Sequence, residues 1–119
     1  TTDKAQYKIG DQLKNKFSVT KPMYVRMVVI NSKGNIDTLF PNTYQSDNFC
    51  KPGKNYSIPS KNSNFTLDIG GPAGTDKIRA IASNKPIPAS AMFFTQDGQF
   101  DDSKMSEYTV RASTDYSIQ

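Results

Sequence analysis

The sequence predicts an all-β domain, specifically an antiparallel immunoglobulin-like β-sandwich of about seven to nine short strands. Short apolar or alternating segments recur along the chain, turn-forming residues separate them, and helical periodicity is nearly absent. This pattern disfavours a parallel sheet covered by helices. The 119 residues correspond to about one domain. We expect residues 7–119 to form that domain and residues 1–6 to be a loose N-terminal segment.

Two short strands are predicted at the start of the domain. Residues 7–9 form a Tyr-Lys-Ile triplet, which the turn formers Gly10 and Asp11 end. Residues 13–19 alternate between apolar and polar side chains, although Asn15 falls on the inward, otherwise apolar face.

The longest apolar segment, residues 23–30, predicts a central strand. Its sequence, MYVRMVVI, is rich in residues that fit a pleated surface. Successive side chains point to opposite faces, and both faces are mostly apolar apart from Arg26, so we expect cover on both sides. A turn that ends at Gly34 predicts a hairpin, with residues 36–40 as the partner strand. Pro41 ends this strand because proline has no N–H for the ladder.

Residues 41–53 predict a loop because turn-forming residues recur through the segment. We expect Phe49 and Cys50 to anchor the loop to the core, since a free cysteine behaves as a small buried hydrophobic residue. A reactive or lipid-modified thiol is the alternative for Cys50. Residues 56–59 predict a short strand, which Pro59 confines to the edge of a sheet.

Three or four further strands are predicted after this edge strand. Residues 65–69 alternate in polarity, and residues 76–83 place Ile, Ala and Ala on one face. Residues 107–118 predict the last strand or a pair of strands. The polar segment before them allows one short helix near residues 101–107, with an aspartate as its N-cap.

Composition excludes several kinds of chemistry. The chain has no histidine and one cysteine, so Ser-His-Asp and Cys-His catalytic arrangements and intramolecular disulfides are excluded. Asp97, Asp101 and Asp102 lack the spacing and the closing glutamate of a calcium-binding loop. We therefore expect no catalytic residues, no metal and no cofactor. Carboxylates such as Asp68, Asp76, Asp101 and Asp102 are the remaining acid–base candidates.

The net charge of +4 and the pI of about 9.2 are compatible with solubility or with an anionic partner. The lysines and arginines are scattered singly, whereas a nucleic-acid-binding domain would cluster them, so we expect no nucleic acid. No segment approaches the roughly 20 apolar residues of a membrane helix, so we expect no membrane insertion.

Several short motifs occur in a characteristic order: IGD at residues 9–11, LFPN at 39–42, YSIP at 56–59 and GPAGTDKIRAIAS at 71–83. In these motifs the chain resembles the bacterial family called domain of unknown function 4384, over about residues 7–88. The resemblance implies a non-catalytic β-domain of the periplasm, cell envelope or secreted proteins, often attached to kinase, peptidase-like or lipoprotein modules. Cys50 departs from the aliphatic residue that the family leads us to expect there.

We therefore expect a non-catalytic protein-binding or assembly module of a bacterial cell-envelope or secreted protein. A protein partner would dock through an edge strand near Tyr56 or through the 41–53 loop. The alternative is a module that binds a glycan or an anionic polymer through tyrosines, Arg26 and lysines. Two carboxylates that converge in a cleft would instead indicate a hydrolase. The candidate partner-binding residues are Asn42, Tyr44, Asp47, Asn48, Tyr56 and Arg26.

Overall fold

The computed structural model describes residues 2–60, 65–87, 93, 99 and 110–118. This part of the chain is all-β, with ten strands and no helix. The predicted helix near residues 101–107, and with it Asp97, Asp101 and Asp102, lies outside the described residues. The strands are β1 (Gln6–Tyr7), β2 (Gln12–Leu13), β3 (Asn15–Phe17), β4 (Met23–Ile30), β5 (Ile36–Phe40), β6 (Phe49–Cys50), β7 (Tyr56–Ile58), β8 (Leu67–Asp68), β9 (Gly74–Ser83) and β10 (Val110–Ile118).

A six-stranded sheet forms the main layer, in the order β1-β10-β9-β4-β5, with β6 also pairing with β4. All its neighbouring strands are antiparallel except β1 and β10. Strand β4 contacts β9 along one edge, and its other edge is shared by β6 and β5. The predicted antiparallel β-sandwich is confirmed.

Two short ladders form the second layer, where β2 pairs with β8 and β3 pairs with β7. Only Lys14 separates β2 from β3 in the chain. The residues before it pair with β8, and the residues after it pair with β7. The partner changes from β8 to β7 there because residues 59–66 lie between those two strands in the chain. The single strand predicted at residues 13–19 is therefore divided.

The core covers both faces of β4, as the sequence predicts. Val25 and Met27 belong to the larger cluster, which lies between the two layers and includes Leu13, Ile58 and Ile69 from the second layer. On the opposite face of the main sheet, a smaller cluster packs around Phe93, and its buried members are Val28, Ile30, Ile81 and Phe93. Burial on both sides explains why β4 is apolar on both faces.

The β4–β5 hairpin forms as predicted. Gly34 has a φ of 84°, and the Asn31 side chain accepts hydrogen bonds from the amides of Lys33 and Asn35. An irregularity in register between Met27 and Val28 follows along the β4–β5 ladder.

The predicted 41–53 loop needs one correction, because Phe49 and Cys50 form strand β6 within it. These two residues pair with Met23 and Tyr24 at the start of β4, and the rings of Phe49 and Tyr24 lie 4.9 Å apart. Pairing between segments this distant in sequence depends on the sheet, so a local pattern does not indicate it.

The N-terminal segment contacts the second layer. The Asp3 amide donates a 2.9 Å hydrogen bond to the Lys14 carbonyl, and the Tyr7 hydroxyl donates to the Asp3 carboxylate. The Tyr7 ring packs edge-on against Tyr116 at 5.1 Å. Where the domain begins stays a prediction.

Gly74 holds the start of β9 against the hairpin turn. Its φ is 133°, and a Cβ on this residue would lie 2.6 Å from the Cβ of Ser32. The Ser32 hydroxyl donates a 3.0 Å hydrogen bond to the neighbouring Ala73 carbonyl, so the turn is tied to this position.

We expect Gly74→Ala to destabilise the protein by about 2 kcal/mol or more, because it adds backbone strain to a steric clash. Gly70→Ala is the matched control, since a Cβ there meets no atom within 4 Å, and its effect should stay within about 0.5 kcal/mol. Urea unfolding of both variants gives the comparison. Equal unfolding midpoints would show that Gly74 is not under this constraint.

Candidate functional site

The loop after β5 is closed by the side chain of Asn42. Its Oδ1 accepts 2.9 Å hydrogen bonds from the amides of Tyr44 and Gln45, and its Nδ2 donates one of 2.9 Å to the Leu39 carbonyl. An asparagine in this role makes a rigid turn without any partner molecule. The side chain of Asn42 is therefore engaged in holding Tyr44 in place.

The side chains of Asn48 and Asp47 also bond the loop to itself and to the sheet. The Nδ2 of Asn48 donates to the Val25 carbonyl at 3.0 Å, and the Val25 amide donates to the Asn48 carbonyl at 3.0 Å. The Asp47 carboxylate accepts a 3.2 Å hydrogen bond from the Phe49 amide. These contacts extend the pairing of β6 with β4.

Arg26 lies within the main sheet, in strand β4. Its side chain is on the face of β4 that carries Val28, and the residue is 8% exposed. The guanidinium Nη2 donates a 3.4 Å hydrogen bond to the Thr38 hydroxyl on β5. The structure does not place Arg26 beside Tyr44 or Tyr56.

A cleft of about 870 Å³ lies beside the ladder of β3 and β7. The rings of Phe17 and Tyr56 stack at 5.3 Å with an interplanar angle of 16°. The Lys51 amide donates a 2.7 Å hydrogen bond to the Tyr56 hydroxyl, which fixes the ring. We call this the aromatic cleft, and the lining residues that characterise it are Phe17, Tyr56, Phe65, Lys14 and Lys16.

Tyr44 adds an exposed ring next to the aromatic cleft. It is 72% exposed, yet its ring stacks on Phe65 at 5.0 Å with an interplanar angle of 17°. Because Phe65 lines the cleft, the structure brings two of the predicted residues, Tyr44 and Tyr56, to one region of the surface. Sequence reasoning missed Phe17, since alternation within a strand indicated only a core residue.

A second cleft, of about 330 Å³, opens between the two layers near the β4–β5 turn and Gly70–Gly71. We call it the acidic cleft, because Asp37, Asp68 and Asp76 all line it. Asp68 and Asp76 are among the acid–base candidates that the sequence indicates, whereas no sequence pattern singles out Asp37. The three residues come from β5, β8 and β9, so their convergence depends on the order of the strands.

Asp76 is the buried member of this group. The residue is 7% exposed, its Oδ2 accepts a 3.0 Å hydrogen bond from the Tyr116 hydroxyl, and its Oδ1 has no hydrogen-bond partner. Burial raises the pKa of the Asp76 carboxyl group, although the Tyr116 hydroxyl and the Ser32 amide act in the opposite direction. Because the pKa of Asp76 is higher in the folded protein than in the unfolded chain, ionisation of this carboxyl group at neutral pH lowers the free energy of unfolding.

Cys50 is fully buried, with 0% exposure. Burial raises the pKa of its thiol to about 11, and the charge of Asp47 adds to this effect. A thiol in this state is a poor nucleophile, because the thiolate is the reactive form. The structure thus fits the predicted anchoring role better than a reactive one.

The described residues include no helix that is long and apolar enough to span a membrane. Nor do they bring three His, Cys, Asp or Glu side chains close enough together to hold a metal ion.

The fold and its two clefts define the class as a small β-sandwich domain with solvent-accessible grooves beside its second layer. The family model described as "Domain of unknown function (DUF4384)" matches residues 6–86, which is more than half of the chain. The chain belongs to this family, as its motifs predict. Neither a comparison with curated proteins nor one with solved structures found a match.

Burial and the raised pKa of Cys50 make its thiol slow to react in the folded protein. At pH 8, we expect modification by a disulfide reagent to be at least about a hundredfold slower than in urea, because the pKa shift alone lowers the thiolate fraction by that factor. A Lys85→Cys substitution in a Cys50→Ala background provides an exposed thiol as the control. Equal modification rates for the folded wild type and the folded Cys50→Ala/Lys85→Cys variant would contradict burial of Cys50.

The same pKa shift predicts how stability depends on pH. Because the folded-state pKa of Cys50 lies above the unfolded value of about 9, its contribution is full below pH 9 and is lost as the pH rises towards about 11. The unfolding free energy of the wild type should therefore fall more steeply over this interval than that of Cys50→Ala. If urea titrations gave the same pH dependence of the unfolding free energy for both proteins, the raised pKa of Cys50 would be contradicted.

Proposed function

We propose that this domain is a non-catalytic module that binds a partner protein, in a bacterial protein of the cell envelope or of the secreted class. The observation that carries the proposal is the position of Tyr44, which is largely exposed and yet held by a stacked ring and a closed turn. Tyrosines of this kind are frequent in the regions that dominate protein–protein affinity. A ring that is already ordered loses little conformational entropy on binding.

The aromatic cleft supplies the depth that such a contact needs. It lies next to Tyr44, and its volume of about 870 Å³ accommodates several side chains of a partner. Phe17, Tyr56 and Phe65 provide apolar surface there, while Lys14 and Lys16 provide charge. A partner segment that carries an apolar residue flanked by acidic ones would match this surface.

Of the two docking routes expected from the sequence, the loop is better supported than the edge strand. The Ser57 carbonyl on β7 already accepts a 3.0 Å hydrogen bond from the Gln45 side chain. Strand addition at β7 would have to compete for this backbone group. The proposal therefore places the contact at Tyr44 and the aromatic cleft.

The cellular location in the proposal rests on the family resemblance alone. The resemblance also implies attachment to further modules, which is compatible with a binding role within a larger assembly.

The test is site-specific photo-crosslinking in cells that express the protein from its own gene. With Tyr44 replaced by benzoylphenylalanine, we expect an adduct with one partner protein. Replacement of the exposed Lys85, which lies after β9, serves as the control and should give no such adduct. Adducts with many proteins, or equal yields from both positions, would contradict docking at Tyr44.

Binding of an anionic glycan is the second candidate function. Among the described residues that line the aromatic cleft, Lys14 and Lys16 are the charged ones, and none is acidic. Stacked aromatic rings next to lysines suit a sugar ring that carries sulfate or carboxylate groups. This arrangement favours the glycan alternative specifically, beyond what the net charge of +4 indicates.

Affinity electrophoresis in gels that contain heparin, at low salt, separates this alternative from an effect of net charge. If the cleft binds the glycan, Lys14→Gln/Lys16→Gln should be retarded much less than Lys33→Gln/Lys85→Gln, which has the same net charge. Equal retardation of the two double variants would show that only net charge acts.

A further inference from the structure

Strand β10 leaves most of one edge unpaired among the described residues. Along its inner edge it pairs with β9 over the whole of Val110–Ile118, without a change of register. Along its outer edge it pairs only with β1, at Ser117 and Ile118. Residues 110–116 therefore have no strand partner on the outer side within the part of the chain that the structure describes.

One hydrogen bond shows which backbone groups of β10 point outward. The Ser117 amide donates a 3.0 Å hydrogen bond to the Ala5 carbonyl, so the N–H and C=O groups of Ser117 point away from β9. Because this direction alternates from one residue of a strand to the next, Asp115, Ser113 and Arg111 also direct their N–H and C=O groups outward. On that side, none of these three residues has a backbone hydrogen bond to another described residue.

Two other strand edges carry features that block the addition of a further strand. At the opposite edge of the main sheet, β5 has the register irregularity beside Met27 and is followed by Pro41. In the second layer, the Ser57 carbonyl on β7 already accepts a hydrogen bond from Gln45. By contrast, β10 contains no proline, glycine or lysine and keeps one register with β9 throughout. A long regular edge of this kind is a template for pairing with another strand.

The unpaired segment has its centre at Ser113. A second copy that paired with it in antiparallel orientation around a two-fold axis would place Ser113 opposite its own equivalent and Val110 opposite Tyr116. The partner strand would then begin one position before Ser117, the first residue on this edge that β1 occupies. Ala112 and Ser113 are small and exposed, so the two backbones can approach each other at the centre. The length of the free edge therefore suits a strand that begins where β10 itself begins.

The charges of the segment match this arrangement. Position 111 is an arginine and position 115 an aspartate, so the two-fold axis sets residues of opposite charge across from each other on both sides of Ser113. Opposite charges at such positions stabilise a pair of strands, whereas like charges destabilise it. Asp115 is exposed, and its Oδ1 accepts a 2.7 Å hydrogen bond from Arg79 of its own chain. The register would bring a second arginine to the strand position opposite this aspartate.

We propose that the outer edge of β10 is a dimerisation surface, on which a second copy of this chain adds its own β10 in antiparallel orientation about Ser113. The two main sheets then form one continuous sheet, and the outward backbone groups of residues 111, 113 and 115 find partners across the axis. Because one pair of short strands makes a small interface, the dimer belongs to the weak, transient class. The inference goes beyond the proposed function, since it involves neither Tyr44 nor the aromatic cleft.

Disulfide trapping in a Cys50→Ala background tests the position of the axis. Ser113→Cys places two thiols across the axis with their Cα atoms about 5.5 Å apart, a separation that a disulfide spans. Ala112→Cys is the matched control, because Ala112 is also exposed but lies opposite Thr114 rather than its own equivalent. Under mild oxidation, we expect Ser113→Cys to form covalent dimers at least about tenfold faster than Ala112→Cys. Equal rates for the two variants would overturn the proposed register.

Sedimentation velocity over a series of protein concentrations tests the role of the backbone. Ser113→Pro removes the central outward N–H, whereas Ser113→Ala keeps it. Proline is tolerated on an edge strand when its nitrogen faces outward, so the β9–β10 ladder keeps its hydrogen bonds. We expect the wild type and Ser113→Ala to dimerise as concentration rises, and Ser113→Pro to associate at least about tenfold more weakly. A wild type that stays monomeric throughout, or equal association of the two variants, would contradict strand addition by a second copy.

A charge variant keeps the test valid if Ser113→Pro does not fold. Arg111→Asp sets like charges opposite each other at both ends of the pair, and it should weaken dimerisation by about threefold or more. Lys85→Asp, which changes the net charge equally at an exposed position after β9, should leave the dimerisation constant unchanged. Equal effects of the two variants would show that Arg111 does not face Asp115. None of these outcomes bears on crosslinking at Tyr44, so the two proposals fail separately.

Discussion

Covering both faces of strand β4 is the constraint on which the rest of the structure depends. Val25 and Met27 need the second layer above them, and Val28 and Ile30 need the cluster around Phe93 below. Burial of one such side chain is worth roughly 1.5–3 kcal/mol, so neither face can be left open in a domain of marginal stability. The second layer, made of ladders two or three residues long, has few backbone pairs of its own and relies on packing against the first.

Sequence reasoning recovered the parts of the fold that local patterns encode. The apolar run of residues 23–30 gave the central strand, and Gly34 gave the hairpin, because the signal and the structure occupy the same few residues. The pairing of Phe49 and Cys50 with the start of β4 has no such local signal. The division of β2 from β3 at Lys14 is similar, since it reflects which partner strand is available rather than any preference of residues 12–17 themselves.

The candidate site shows the same limit at the level of single residues. Asn42 and Asn48 were candidate partner-binding residues, and both side chains donate hydrogen bonds to backbone carbonyls, because the amide that suits recognition also suits closing a turn. The sequence cannot tell which of these uses prevails, since the choice depends on neighbouring backbone groups. Tyr44 became distinctive only through its stack on Phe65, a residue from another part of the chain.

Net charge proves to be a poor guide to this surface, because the charges are segregated. Lys14 and Lys16 line the aromatic cleft, whereas the acidic cleft carries carboxylates, and both clefts share the walls formed by Leu13, Thr66 and Leu67. Salt largely screens exposed charges that lie more than about 8–10 Å apart, so the potential in each cleft is set mainly by the charges nearest to it. A molecule that approached this layer would meet two regions of opposite charge side by side. A uniformly anionic partner, which the overall charge of +4 favours, matches only one of them.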